Sequence, residues 1–168
     1  SAFLEYGDGI IVPGNRSLHQ EDKDFRASAL YWPYHCAIDE QVQRLRSLGP
    51  PPAFISIHSF TPVLNGESRA WQVGILWDKD EQLREIFLEG FRAAGYYVGD
   101  NEPYSGKAPQ DFTIDHHAEE THLPHVGIEI RQDLVDGETG VAEIASVMHK
   151  IIASIPDRIN SKNERITA

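Results

Sequence analysis

Residues 53–62 read AFISIHSFTP. Phe54 to Ile57 is an apolar run of the length of a buried strand, and it changes abruptly into His58, Ser59, Thr61 and a closing Pro62. In open α/β folds ligands sit beyond the carboxyl ends of the central strands, so this polar tip reads as part of a site. An imidazole there serves as a metal ligand, a general base or a plain hydrogen-bonding group, and a structural histidine fits the position equally well.

Upstream of this stretch, Tyr34, Ile38, Val42, Leu45 and Leu48 form one apolar stripe at helical spacing. Pro33 separates that helix from an earlier helical piece starting near Glu21, and Gly49 with Pro50–Pro52 ends it. Residues 1–18 read as loop, with a short strand at Ile10–Val12. Downstream, WQVGILW (71–77) is a second strand, and Asp78 with Glu81 resembles a helix-capping arrangement. Leu83, Ile86, Phe87, Phe91 and Ala94 make the stripe of the next helix, which Gly95 ends. Tyr96–Val98 is a short strand running into the turn-rich GDNEPYSGKAP (99–109). Residues 111–120 predict a helix, and HVGIEI (125–130) a third clear strand. Val141, Ile144, Met148, Ile151, Ile152 and Ile155 stripe a last helix closed by Pro156, with a polar tail over 157–168. Strand and helix alternate from residue 34 onward, which predicts a single three-layer α/β domain with a mostly parallel central sheet.

The balance of 15 basic against 26 acidic side chains, a net charge of −11, argues against nucleic acid as the main partner and against an anionic membrane surface. No apolar run approaches the ~18 residues that span a bilayer, and no signal peptide is visible. The chain opens Ser1-Ala2-Phe3 rather than with Met, which fits a processed piece. Cys36 is the single cysteine, so no internal disulfide forms, in keeping with a reducing cytoplasm. Its place in a helical pattern predicts a packed thiol rather than a nucleophile.

Three segments bring chemically useful groups: His58 with Ser59 and Thr61, Asn101 with Tyr104 and Ser105, and Glu129 with Arg131. In an apolar strand Ile128 and Ile130 point to the face opposite Glu129, and a buried carboxylate is costly unless used or paired. Desolvation would raise its pKa toward the range of a general base or acid. A Glu129–Arg131 salt bridge accounts for the spacing equally well, since i and i+2 share a strand face. His116 and His117 diverge by roughly 100° on a helix, so they seldom share an ion, and at least one belongs on a solvated face. The H-x-x-E run at His117–Glu120 is short and common. There is no G-x-S-x-G elbow, Walker loop or dinucleotide fingerprint.

Taken together, DGIIVPGNR (8–16), YHCAI (34–38), ISIHSFTPVLNG (55–66) and RAWQVGILWD (69–78) are accompanied by GDNEPYSG (99–106), DHHAE (115–119) and HVGIEIRQDL (125–134). In this order the chain resembles the N-formylglutamate amidohydrolase family. The resemblance implies hydrolysis of N-formyl-L-glutamate to glutamate and formate, a step of histidine degradation. It also implies a fold similar to the zinc-dependent exopeptidases and deacylases (phosphorylase/hydrolase-like). By the same likeness His58 is a metal ligand for zinc or another divalent ion, and Glu129 is the base that deprotonates water. Arg131, Tyr104, Asn101, Arg69 and Ser59 would bind the substrate, a small acidic N-acyl amino acid. The family also carries an upstream Glu-His-Ala-Ser-Asn-like motif expected to supply further ligands. These 168 residues contain no such motif, which predicts that the chain is the C-terminal part of a family-type domain and does not complete the family's three-ligand metal site by itself. A non-catalytic dicarboxylate-binding module and a deacylase for another N-acyl amino acid are the competing readings.

Overall fold

A computed structural model of the chain describes residues 3–7, 9–107 and 112–166. Asp8 of the first matching stretch, Ala108 and Pro109 of the turn-rich loop, and the expected helix start at Asp111 lie outside the described residues. The chain divides into two compact units, one running up to Pro50 with Val63–Glu67, the other comprising Pro51–Pro62 and Ser68 onward.

In the first unit, β1 (Tyr6–Gly7) and β2 (Ile10–Ile11) pair antiparallel. Helix α1 (Gln20–Arg26) leads through a π-helical segment, Ala27–Tyr31, into α2 (Trp32–Leu48). Pro33 therefore does not interrupt the helix as its sequence predicts. It occupies the first turn of α2, immediately after the widened π turn, where a missing N–H costs little. Tyr34, Leu45 and Leu48 of the predicted stripe are exposed, as is Cys36, which is not the packed thiol expected.

The second unit is a three-layer α/β arrangement. Its four-stranded sheet has the order β3 (Phe54–Phe60), β8 (His125–Arg131), β6 (Val73–Leu76), β7 (Val98–Asp100). Strands β4 (Val63–Leu64) and β5 (Glu67–Ser68), which up to Glu67 belong to the first unit, form a small hairpin. Its tip, Asn65 (φ 52°) and Gly66 (φ 82°), has the two positive φ values that an Asn-Gly hairpin turn requires. The pairs β3–β8 and β6–β7 are parallel, whereas β6–β8 is antiparallel, so the sheet is mostly parallel with one reversal.

One layer consists of α3 (Glu81–Ala93) and α5 (Glu138–Ile166). The predicted α3 stripe is realised, with Leu83, Ile86, Phe87 and Phe91 buried against Val73, Ile75, Val126, Ile128 and Ile130. Asp80 rather than Asp78 caps the helix: its Oδ1 accepts from the amides of Gln82 (2.8 Å) and Leu83 (3.1 Å). The other oxygen of Asp80 accepts from the amide of His125 at the start of β8 (2.8 Å). At the far end Gly95 (φ 90°) takes the left-handed conformation, and the amides of Gly95 and Tyr96 return to the carbonyls of Arg92 and Phe91. Gly90 lets α5 approach, since a Cβ there would lie 2.5 Å from Ile151 Cγ1.

Helix α5 does not stop at Pro156 but runs to Ile166, so residues 157–166 continue the helix instead of forming a tail. Ile144, Met148, Ile151 and Ile155 are buried, and Ile159, one turn beyond the proline, packs on the same core. Burial on both sides of Pro156 offsets the lost hydrogen bond. The third layer, on the opposite face of the sheet, holds α4 (Phe112–Ile114) and a π turn, Asp115–Glu119. His117 is buried and stacks on Phe54 (6.4 Å), while His116 stays partly exposed and pairs with Glu120 (3.0 Å). No helix of the described residues is long and apolar enough to cross a membrane.

Candidate functional site

The face of the sheet opposite α3 and α5 carries Ser56, His58 and Phe60 from β3, Gly127, Glu129 and Arg131 from β8, and Gly74 from β6. Parallel register sets His58 directly beside Glu129, and antiparallel register sets Gly74 on the other side of Glu129. Both polar residues lie inside their strands rather than at a strand end as the sequence suggests, because β3 continues to Phe60 and β8 to Arg131. The reversal of β6 and β7 also turns their carboxyl ends the other way, so the site forms on the face of the sheet.

Glu129 is only 8% exposed, whereas His58 is exposed and its Nε2 lies 3.1 Å from Ser56 Oγ. Both line a cavity of about 310 Å³ walled by Trp77, Asp78, Tyr104, Asp115 and Glu119. Missing side chains make room for its roof. A Cβ at Gly74 would sit 2.4 Å from the carbonyl oxygen of Glu102, and one at Gly99 2.5 Å from the same atom. The loop after β7 therefore rests directly on the sheet.

Asn101 (φ 55°) anchors that loop. Its amide donates to Ile75, and its Oδ1 accepts from the amides of Trp77 (2.9 Å) and Gly106 (3.0 Å). Trp77 Nε1 donates to Asp100 Oδ1 (2.6 Å), and Arg84 binds the same carboxylate through two nitrogens. The hydrogen bonds from Arg84 hold the Asp100 carboxyl below its ordinary value, against the opposing effect of burial. Arg69 donates to Tyr104 Oη (2.7 Å) and lies over the rings of Tyr104 and Phe60 at 5.0 and 5.6 Å.

Arg131 is engaged in a different way. Its Nε and Nη2 bind Asp133 (2.7 and 3.0 Å), and its Nη1 donates to the carbonyls of Arg69, Ala70 and Trp71. The structure thus pairs Arg131 with Asp133, which draws the Asp133 carboxyl below the usual range. Ser59 stands in register with the core residue Ile130, on the face away from the cavity. Of the expected residues, His58, Glu129 and Tyr104 are brought together on the cavity, with Arg69 bonded to Tyr104. Asn101 and Arg131 hold backbone nearby, and Ser59 lies apart.

Sequence reasoning assigned no role to Glu119, whose carboxylate bridges Lys79 Nζ (2.6 Å) and His125 Nε2 (3.5 Å). Burial acts to raise the pKa of Glu119, but the Lys79 hydrogen bond and charge, with His125, bring it below normal. The DHHAE stretch was the one signal pointing at Asp115 and Glu119.

The N-formylglutamate amidohydrolase family model matches residues 3–135, more than half of the chain. The chain belongs to that family. A comparison with curated proteins finds no match. Among solved structures, this N-formylglutamate amidohydrolase family chain is similar to the crystal structure of gene product Atu2144 from Agrobacterium tumefaciens, with 33% identity and a TM-score of 0.86. The alignment covers 94% of this chain and 62% of that one, so the chain spans less than two thirds of its neighbour's length. The family resemblance implies zinc. Among the described residues no group of three metal-ligating side chains includes His58, so the family's zinc does not find a complete ligand set around this histidine.

Proposed function

We propose that the site hydrolyses N-formyl-L-glutamate to glutamate and formate. The observation that carries this reading is the register pairing of His58 with the buried Glu129 on the wall of one cavity, in a chain of this family. Glu129 takes a proton from an attacking water as oxygen bonds to the formyl carbon. When the C–N bond breaks, the same proton passes to the leaving amine nitrogen, and formate departs. The Glu129 carboxylate, only 8% exposed, faces this cavity, where an attacking water would meet it. Arg69, oriented by Tyr104, meets a carboxylate of the substrate. If a divalent ion such as zinc takes part, His58 is the imidazole on this cavity available to it.

Purified protein supplied with N-formyl-L-glutamate should release formate, measured with zinc added and with a chelator. Absence of turnover on every N-acyl acidic amino acid would overturn the reading, and turnover of a different N-acyl group would shift it to a related deacylase. The incomplete ligand set around His58 favours a second reading, a dicarboxylate-binding module without catalysis. Calorimetric binding of glutamate-like ligands with no need for zinc, and without turnover, would select it.

A further inference from the structure

Four carboxylates, Asp78, Asp115, Glu119 and Glu129, line the cavity, so a ligand with two negative charges enters against its own sign. Most nearby cations are already neutralised. Lys79 is bound to Glu119, Arg84 to Asp100 and Arg131 to Asp133. Arg69, held by the Tyr104 hydroxyl, keeps its charge for one substrate carboxylate. A diacid needs a second positive group.

Lys107 supplies one at the mouth. A more open hollow of about 490 Å³ shares Asp78, Gly106, Asp115 and Glu119 with the cavity and adds Lys107 to its wall. Among the described residues the Lys107 ammonium is held by an aromatic face rather than a carboxylate: Nζ lies 4.4 Å from the centroid of Trp77, itself a wall of the cavity. A ring face attracts the cation without consuming its N–H donors, so they remain able to bind an anion. The backbone beneath is fixed. The Gly106 amide donates to Asn101, the Lys107 amide donates to Ser105 Oγ (3.2 Å), and a Cβ on Gly106 would lie 2.6 Å from the Trp77 amide nitrogen.

We propose that Lys107, steered by Trp77, is a specificity-determining residue that binds the side-chain carboxylate of a dicarboxylate ligand. This rests on the diacid substrate of the proposed function and names the charge that selects it. The bland account of the same geometry is a surface lysine that merely covers Trp77.

The test compares wild type with Lys107→Met, which keeps an aliphatic stem over the indole, and Lys107→Arg, which keeps the charge. KM and kcat are measured for N-formylglutamate and for N-formylglutamine, the near-isostere lacking the side-chain charge, with melting temperature recorded on each preparation. Lys107→Met should raise KM for the diacid about tenfold and for the amide by less than about twofold, and Lys107→Arg should restore most of the difference. Equal effects on both substrates, or none, overturn the proposal while leaving the hydrolase reading intact. If the wild type shows no turnover, that reading fails and glutarate calorimetry decides the role of Lys107. Weaker binding by Lys107→Met then supports it, and equal binding or none overturns it.

Discussion

His58 and Glu129 are direct neighbours across the parallel β3–β8 pair, one exposed and one buried on the same face of the sheet. A single pairing register thus brings an imidazole and a shielded carboxylate to one wall of a cavity, and most of what the site is able to do follows from it.

Glu129→Gln keeps the shape of the side chain and removes its ability to accept a proton. Turnover of N-formylglutamate should fall by roughly 10²–10⁴-fold with the melting temperature little changed. If Glu129 only helps hold the strand pair, the same substitution should lower the melting temperature and spare the rate. Measuring both on one preparation separates the two roles.

Gly74→Ala tests how closely the loop seats on the sheet. The new methyl would stand 2.4 Å from the Glu102 carbonyl oxygen and 3.3 Å from Glu129 Cβ. Backbone must move, so the expected cost is about 1–3 kcal/mol, read from denaturant unfolding, and turnover should drop with it. An unchanged unfolding midpoint would mean that the loop is not pressed against β6.

The Arg84–Asp100 pair predicts a pH dependence of stability. Asp100 is held below its ordinary 3.8 by the Arg84 hydrogen bonds, supported by Trp77. A carboxyl with a depressed folded pKa adds stability above its unfolded value and gives it up as pH falls through the folded value. Wild type should therefore exceed Asp100→Asn at neutral pH, by about 1 kcal/mol or less for a partly exposed pair, and the two should converge in acid below 3.8. Urea unfolding over a pH series checks the sign, and a gap that widens in acid contradicts it.

Pro156 lies on the exposed side of α5, between the buried Ile155 and the packed Ile159. Pro156→Ala restores an N–H and removes the ring from the helix interior. Thermal unfolding should show a gain of about 1–3 kcal/mol. A loss would mean that the helix does not continue through this position.

Strands β3 and β8 and helix α3 were legible because apolar runs and a four-three stripe are local signals that burial reinforces. His58, Tyr104 and Glu129 were each conspicuous as polar residues next to apolar strands or in a turn-rich loop. Their meeting was not legible from composition and spacing, because register between distant strands and the reversal of β6 depend on connections that no local pattern encodes. The two prolines misled for a related reason. Pro33 follows a π turn and Pro156 lies between the buried Ile155 and the partly buried Ile159, so tertiary packing overrides the local breaker rule. Asn101 and Arg131 look like substrate groups in sequence, yet the Asn101 Oδ1 is taken up by two backbone amides and Arg131 by backbone carbonyls and Asp133.

Asp80 splits its two oxygens between the first turn of α3 and the first amide of β8. Opening either end deprives the other of its acceptor, so the helix start and the strand start behave as one cooperative unit. Amide hydrogens at Leu83 and His125 should consequently share a single opening free energy in deuterium exchange, and replacing this one carboxylate should release both together.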